Sequence, residues 1–318
     1  MRIAWRTLIS KLSTAWKKWP LGWQLRALCL WLFARYSPIR QWGPIAQIKL
    51  TNDQQKRLDI CCKLDRTYVL PIDAEMANQL TFKDFSYYVG DLLRVLTPRF
   101  MDRRFMKEFG DVTWVPQNPA FVKSRPISND NQNSVLLPLD ARRHLVFPAD
   151  PYDFDMKFSQ IVWRGASTQA HRQRFLSAAQ SLACCDAGDP SLPTISPYYK
   201  ARLSMFEQMQ YKYVVSIEGN DVATNLKWIM NSNSLCLMPK PRFETWFLES
   251  ELQAGVHYVE LKEDYSNLQL VFDYYEQYPE EALQIILQAQ SYTAKFKDLQ
   301  SERLMTQHVA SKYFSFTE

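Results

Sequence analysis

The sequence predicts an α/β fold built on parallel β-strands, and three observations support this prediction. Short apolar runs rich in β-branched residues alternate with helical patterns through the C-terminal half of the chain. Two of these runs, residues 159–163 and 213–217, are each followed by a Gly-containing turn and then by a helical stretch. The length of 318 residues is enough for two domains of ordinary size.

The second run, residues 213–217, has the length and composition of a central parallel strand. The polar turn after it, Glu218 to Asp221, offers Asn220 or Asp221 as the cap of a helix that we expect to begin near Val222. Unpaired backbone N–H groups and the helix dipole make such a turn suitable for a diphosphate. A plain helix cap without any ligand is the more common explanation of a single turn of this kind.

Two further segments place cations directly after apolar runs. Arg164 and Gly165 end the first strand and precede a helical pattern over residues 171–181. Lys123 and Arg125 follow the run 120–122, which ends at Pro126. An arginine at a strand end is well placed to form bidentate hydrogen bonds with a phosphate. The alternative for each of these positions is a surface cation that only contacts solvent.

Together these segments belong to a longer collinear series that resembles glycosyltransferase family 90, over about residues 105–275. The family includes bacterial lipopolysaccharide-core transferases, fungal capsule-associated xylosyltransferases and animal protein O-glucosyltransferases, and the bacterial branch is the most similar. The motifs that carry the resemblance are GDVTWVP (110–116), VKSRPI (122–127), NSVLLPLDARRH (133–144), VWRGAS (162–167), EGNDVATNLKW (218–228), ETWFLESEL (244–252) and HYVELKEDYSNL (257–268).

The resemblance implies a GT-B fold, with two Rossmann-like halves, a nucleotide sugar as donor and no required metal. We expect an N-terminal, acceptor-side Rossmann-like domain over residues 44–150 and a nucleotide-sugar-binding Rossmann-like domain over 151–280. Residues 148–157 are expected to link them. Residues 281–318 are predicted to be helical, with the last helix crossing back onto the N-terminal domain.

The resemblance also implies roles for particular residues. Asp111 occupies the place where the O-glucosyltransferase relatives carry a catalytic Asp, although Gly110 here replaces the preceding Arg and the loop to Lys123 is shorter. Where the animal relatives carry a donor-binding Arg, this chain has Asn225, so either Asn225 or Lys227 is expected to replace it. Trp246 and Glu249 resemble the segment near the nucleotide base and ribose, with a core position as the alternative for Trp246. The expected donor-binding residues are Lys123, Arg125, Arg164, Gly165, Glu218, Gly219, Asn220, Asp221, Thr224, Asn225 and Lys227.

The N-terminal segment, residues 1–43, is basic and rich in tryptophan. Nine cations and six tryptophans precede the first acidic residue, Asp53, whereas the rest of the chain has a net charge of −4 because the whole chain has +5. Such a segment suits the headgroup region of an anionic bilayer, and its longest apolar run, residues 27–34, is too short to span one. We predict an amphipathic membrane-surface element, the alternative being a helix packed on the N-terminal domain. The acidic remainder argues against nucleic-acid binding.

Cysteine and histidine usage indicates neither disulfides nor a metal. The six cysteines include two adjacent pairs without a CxxC motif, and the four histidines are scattered. Asp153 and Asp155 match the sequence pattern of a DxD metal site, but they lie in the expected linker. No metal or other cofactor is therefore expected.

These inferences predict an inverting, metal-independent transferase that moves a sugar from a UDP-sugar to nascent lipopolysaccharide core on the cytoplasmic face of the inner membrane. A capsule or other surface polysaccharide transferase of the same chemistry is the alternative enzyme. A noncatalytic, membrane-associated nucleotide-sugar-binding protein is the alternative from another class. No motif identifies the sugar, because hexoses and pentoses differ in hydroxyl contacts that the sequence does not encode.

Overall fold

The computed structural model describes residues 49–80, 86–96 and 99–318, so the predicted membrane segment at residues 1–43 lies outside the described residues. The helices are α1 (Asn52–Cys61), α2 (Ser86–Leu96), α3 (Ala141–His144), α4 (Ala170–Gln180), α5 (Met205–Gln208), α6 (Leu226–Asn231), α7 (Leu268–Gln277), α8 (Pro279–Ala294) and α9 (Leu299–Ser315). The strands are β1 (Glu75–Met76), β2 (Arg104–Phe105), β3 (Lys107–Glu108), β4 (Ala120–Val122), β5 (Ser124–Pro126), β6 (Ser134–Leu136), β7 (Phe158–Arg164), β8 (Cys185–Gly188), β9 (Tyr211–Val215), β10 (Leu235–Met238), β11 (Phe243–Thr245) and β12 (Val259–Glu260).

The described chain divides into two compact units. Unit one comprises residues 146–241 and 251–297, and unit two comprises the described residues up to 145 together with 242–250 and 298–318. Both units contain parallel strands, so the predicted α/β fold class is confirmed.

Unit one is built on a five-stranded parallel sheet with the order β12-β10-β9-β7-β8. Counted along the chain this is the order 2-1-3-4-5 of doubly wound sheets, and the order reverses between β7 and β9. The strands form because their apolar side chains enter one core, in which Trp163 packs edge-on against Phe175 of α4. Ligands of such sheets bind at the carboxyl ends of the strands, at the point of reversal.

Sequence patterns predicted most of unit one, but one helix start was wrong. Strands β7 and β9 and helix α4 lie within two residues of their predicted bounds. The helix expected near Val222 begins instead at Leu226, with Asn225 at its N-cap. The Asn225 side chain accepts a hydrogen bond from Ser216 Oγ (3.1 Å) and donates one to the Val215 carbonyl (3.1 Å), so it holds the turn against the end of β9.

The segment expected to be a linker, residues 148–157, is packed into unit one. The Lys157 ammonium donates to the Asp150 carboxylate (2.6 Å), to Ser234 Oγ (3.0 Å) and to the Met209 carbonyl, and both charged side chains are fully buried. Phe154, between Asp153 and Asp155, enters the core.

Unit two contains the parallel sheet β3-β4-β6, the antiparallel pairs β1-β2 and β5-β11, and helices α1, α2, α3 and α9. Helix α1 begins at a capping box in which Thr51 and Gln54 exchange hydrogen bonds. The final helix, α9, packs against α1 and α2. Its Tyr313 ring lies 4.2 Å from that of Phe121 in β4, so the C-terminus of the chain completes the core of this unit.

Candidate functional site

Two of the turns singled out in the sequence lie at the same edge of the unit one sheet. Strands β7 and β9 pair in parallel, with Ile161 opposite Tyr213 and Val162 opposite Val214. The turns that follow them, residues 164–167 and 216–221, therefore leave the sheet side by side at the point where the strand order reverses. We call these two segments the switch-point turns. Gln169, two residues after the first of these turns, donates a side-chain hydrogen bond of 3.0 Å to Asn220 in the second.

Arg172, in the first turn of α4, holds the switch-point turns together. Its guanidinium donates to the carbonyls of Ala166 (2.9 Å), Ile217 (2.9 Å) and Glu218 (2.8 Å). Burial lowers the pKa of the Arg172 guanidinium below its ordinary value. The side chain is nevertheless a cation, because an arginine is not deprotonated in proteins. The sequence interpretation missed this residue, although a cation one helical turn beyond the Gly165 turn was a usable signal.

Gly165 is required by close packing. A Cβ atom at this position would lie 2.7 Å from the Trp163 ring, so a larger residue would displace that indole. Ser167 is fixed by Asp189, at the end of β8, which accepts hydrogen bonds of 2.6 Å from both its backbone N–H and its hydroxyl. The first switch-point turn is therefore held rigidly at its middle and at its end.

Arg164 lies at the end of β7 but directs its guanidinium along the sheet. Its Nη2 donates to both carboxylate oxygens of Asp186 in β8, at 2.8 and 2.9 Å, and its Nε and Nη1 donate to the carbonyls of Trp163, Asp186 and Ala201. Burial alone would raise the pKa of the Asp186 carboxyl. The hydrogen bonds and the charge of Arg164 outweigh this effect and hold that pKa below its usual value. Contact between Arg164 and a diphosphate stays a prediction, and a phosphate oxygen would have to replace one of these acceptors.

The other predicted donor residues of unit one differ in exposure. Glu218 and Gly219 are half-buried, Asn220 and Thr224 are exposed, and Asp221 is buried. The two candidates for the relatives' arginine, Asn225 and Lys227, do not project from the switch-point turns. Asn225 contacts the end of β9, and Lys227 is fully buried in α6.

Asp111 lies in unit two, on the loop between β3 and β4. Gly110 before it has φ +100°, a conformation that favours glycine. This backbone conformation explains why a glycine stands here in place of the relatives' arginine. The Asp111 side chain is 39% exposed and accepts a hydrogen bond of 2.6 Å from the ammonium of Lys123, which is 2% exposed. The predicted base and one predicted donor-binding cation are thus brought together as an ion pair.

Arg125 corrects the sequence interpretation, which expected it to face a ligand. Antiparallel pairing of β5 with β11 places it opposite Glu244, and its side chain is fully buried. Its guanidinium donates to Glu244 Oε1 (2.8 Å) and to the carbonyls of Ser134 (2.8 Å) and Ile60 (2.6 Å), so it serves the core of unit two.

Trp246 and Glu249 also belong to the interior of unit two. The Trp246 indole donates to Glu302 at 2.5 Å and stacks on the Arg57 guanidinium at 4.6 Å. Glu249 accepts hydrogen bonds from the backbone and hydroxyl of Thr245. Of the two expectations for Trp246, the core position is confirmed.

Among residues 49–80, 86–96 and 99–318, no three His, Cys, Asp or Glu side chains are grouped so that they could hold a metal ion. Asp153 and Asp155 are both exposed, on either side of the buried Phe154.

Comparison with known proteins identifies one family and two relatives. The model of "Glycosyl transferase family 90" matches residues 141–314. O-glucosyltransferase LpsA of Dichelobacter nodosus is 45% identical over 256 residues, which cover 80% of each chain. Protein O-glucosyltransferase 2 of Danio rerio is 25% identical over 254 residues, which cover 68% of this chain and 49% of that protein. The family match includes both switch-point turns, and it begins after Asp111 and Lys123.

Proposed function

This chain belongs to glycosyl transferase family 90 and is a glycosyltransferase, and from that premise we propose that it moves glucose from UDP-glucose to a lipopolysaccharide core or related surface glycan. The reaction is inverting and needs no metal. Glucose is chosen because both relatives are named O-glucosyltransferases. The GT-B arrangement implied by the resemblance is part of the same proposal.

The observation that carries the donor half of the proposal is the position of the switch-point turns. They follow adjacent parallel strands at the reversal of the sheet order, where doubly wound folds bind nucleotides. Arg172 adds a cation at this edge, and a guanidinium is well suited to phosphate oxygens. The donor diphosphate therefore binds here, with Arg172 and the backbone of residues 218–221 balancing its charge.

The proposed chemistry is a direct displacement at the anomeric carbon. The acceptor oxygen forms a bond to that carbon, the bond to the diphosphate oxygen breaks, and UDP leaves with the electron pair. Asp111 takes the proton of the acceptor hydroxyl, which suits a carboxylate that is partly exposed and held by a neighbouring ammonium.

The proposed acceptor and location rest on the N-terminal segment. Its cations and tryptophans suit an anionic membrane surface, where a lipid-linked glycan is held. The enzyme is then peripheral on the cytoplasmic face of the inner membrane. Across the described residues, no helix has both the length and the apolar composition needed to cross a membrane.

A panel of UDP-, GDP- and CMP-sugars, incubated in EDTA with membrane extract as acceptor source, tests the proposal. We expect UDP release and sugar transfer from UDP-glucose alone, with equal rates in EDTA and in manganese. Transfer from another sugar would correct the donor. Rates restored only by manganese would contradict the metal-free chemistry. Absence of turnover and of thermal stabilisation by every nucleotide would favour a noncatalytic binding protein.

A further inference from the structure

The ion pair between Lys123 and Asp111 has a consequence for catalysis. We propose that Lys123 is a positioning residue whose ammonium orients the Asp111 carboxylate and keeps it ionised for proton transfer. This inference rests on the proposed function, because it assigns Lys123 a task only if Asp111 is the base. It also replaces the sequence interpretation of Lys123 as a donor ligand.

The backbone around Asp111 brings the two side chains together. Strands β3 and β4 pair in parallel, with Lys107 opposite Phe121 and Glu108 opposite Val122, so the loop after β3 starts beside the end of β4. Lys123 follows β4 directly, and its Nζ lies 2.6 Å from Asp111 Oδ1. The backbone turn at Gly110 precedes the carboxylate immediately.

A second contact fixes the same loop. Ser124 Oγ donates to the Val112 carbonyl at 3.3 Å, and Val112 is fully buried. Two consecutive residues after β4 thus hold two consecutive residues of the Asp111 loop. The carboxylate is therefore attached to the sheet rather than to a freely moving loop, which is what an oriented base requires.

Lys157 is a buried lysine with a purely structural role, and its contacts differ from those of Lys123. Its ammonium is directed at Asp150, Ser234 and the Met209 carbonyl, all inside unit one. Lys123 is just as buried, but it directs its ammonium at a carboxylate that is 39% exposed. Burying an ammonium beneath a surface carboxylate stabilises a fold poorly, since an apolar side chain of similar volume often does as well or better. The arrangement does suit a carboxylate that must stay anionic while it contacts a substrate.

Other titratable groups adjoin Lys123. Tyr88 of α2 hydrogen-bonds with it, and burial raises the pKa of that phenol although the charge of Lys123 opposes the shift. Burial also raises the pKa of Asp140, opposed by Arg143 and more weakly by Lys123. The charge of Lys123 opposes both shifts, so a variant without a cation at position 123 should raise the pKa of Tyr88 and of Asp140 further.

The test measures the pH profile of kcat for Lys123→Met and Lys123→Arg, with Lys107→Met as control. Lys107 lies on neighbouring β3 and pairs with Glu75. We expect Lys123→Met to lower kcat about 10- to 100-fold near neutral pH, with little change in the KM for donor. Its acid limb should move to higher pH, because the carboxylate has lost its counter-charge. Lys123→Arg should keep the acid limb of wild type. Lys107→Met should keep both the kcat and the acid limb of wild type.

The inference is overturned if Lys123→Met loses the same factor at every pH together with thermal stability, because that is the pattern of a purely structural residue. An unchanged kcat overturns it as well. If the methionine variant does not fold, a folded Lys123→Arg variant whose acid limb has moved also overturns it. A different result would refute the proposed function itself: wild type would not turn over UDP-glucose, or Asp111→Asn would remain fully active.

Discussion

Replacing Arg172 by Met tests whether the switch-point turns form the donor site. The substitution removes three hydrogen bonds of 2.8–2.9 Å from a charged donor to backbone carbonyls. Hydrogen bonds of a charged group contribute about 1.5–3 kcal/mol each and do not add fully, so we expect the free energy of unfolding to fall by about 2–4 kcal/mol.

Donor binding should weaken for two reasons. The two turns lose the side chain that connects them, and the diphosphate loses a cation. We expect UDP to bind about 10- to 100-fold more weakly, equivalent to about 1.4–2.7 kcal/mol. Titration calorimetry with UDP, at a temperature where both proteins are folded, measures this change, and urea unfolding measures the stability.

Arg174→Met is the matched control, since Arg174 is an exposed arginine on the same helix. It should leave both the UDP affinity and the free energy of unfolding near those of wild type. A folded Arg172→Met protein that binds UDP within about twofold of wild type would show that the donor site does not depend on this edge of the sheet.

Three further predictions concern pH, the core of unit two and the membrane. Burial raises the pKa of Asp91 to about 7, so between about pH 4 and 7 the folded state holds a proton that the unfolded state has lost. The free energy of unfolding should therefore fall by up to about 4 kcal/mol as pH rises through this window, and Asp91→Asn should make this fall smaller. The same pH dependence of the free energy of unfolding in wild type and in Asp91→Asn, measured by urea unfolding, would contradict this. Glu244→Gln leaves the buried Arg125 without its carboxylate and should destabilise the protein by about 3 kcal/mol or more, whereas Arg125→Met/Glu244→Met should recover most of that loss in the same assay. Removal of residues 1–43 should abolish flotation with anionic liposomes, and full flotation of the truncated protein would rule out the membrane role of that segment.

Local patterns were sufficient to predict the central elements of unit one. The apolar runs of β7 and β9 and the periodicity of α4 follow from residues that are neighbours in sequence. The start of α6 was wrong because Asn225 makes its hydrogen bonds to Ser216 and Val215, so the turn is determined by contacts that composition does not show.

The candidate site was harder to predict because its contacts are distant in sequence. Arg125 has the sequence context of a surface cation, and only its pairing with Glu244, 119 residues away, explains its burial. The position of Arg172, one helical turn beyond Gly165, was visible in the sequence. Its role was not, because its acceptors are backbone carbonyls, among them those of Ile217 and Glu218. Asp111 was chosen from the resemblance and Lys123 from its place after an apolar run, but their ion pair depends on the parallel pairing of β3 with β4.

Glucosyl transfer with Asp111 as the base is tested most directly by following labelled glucose from UDP-glucose into acceptor-containing membrane extract, with wild type and Asp111→Asn compared side by side. We expect the substitution to lower kcat by about two to four orders of magnitude while the affinity for UDP stays within about twofold. An Asp111→Asn enzyme that transfers glucose at the rate of wild type would show that another group takes the acceptor proton.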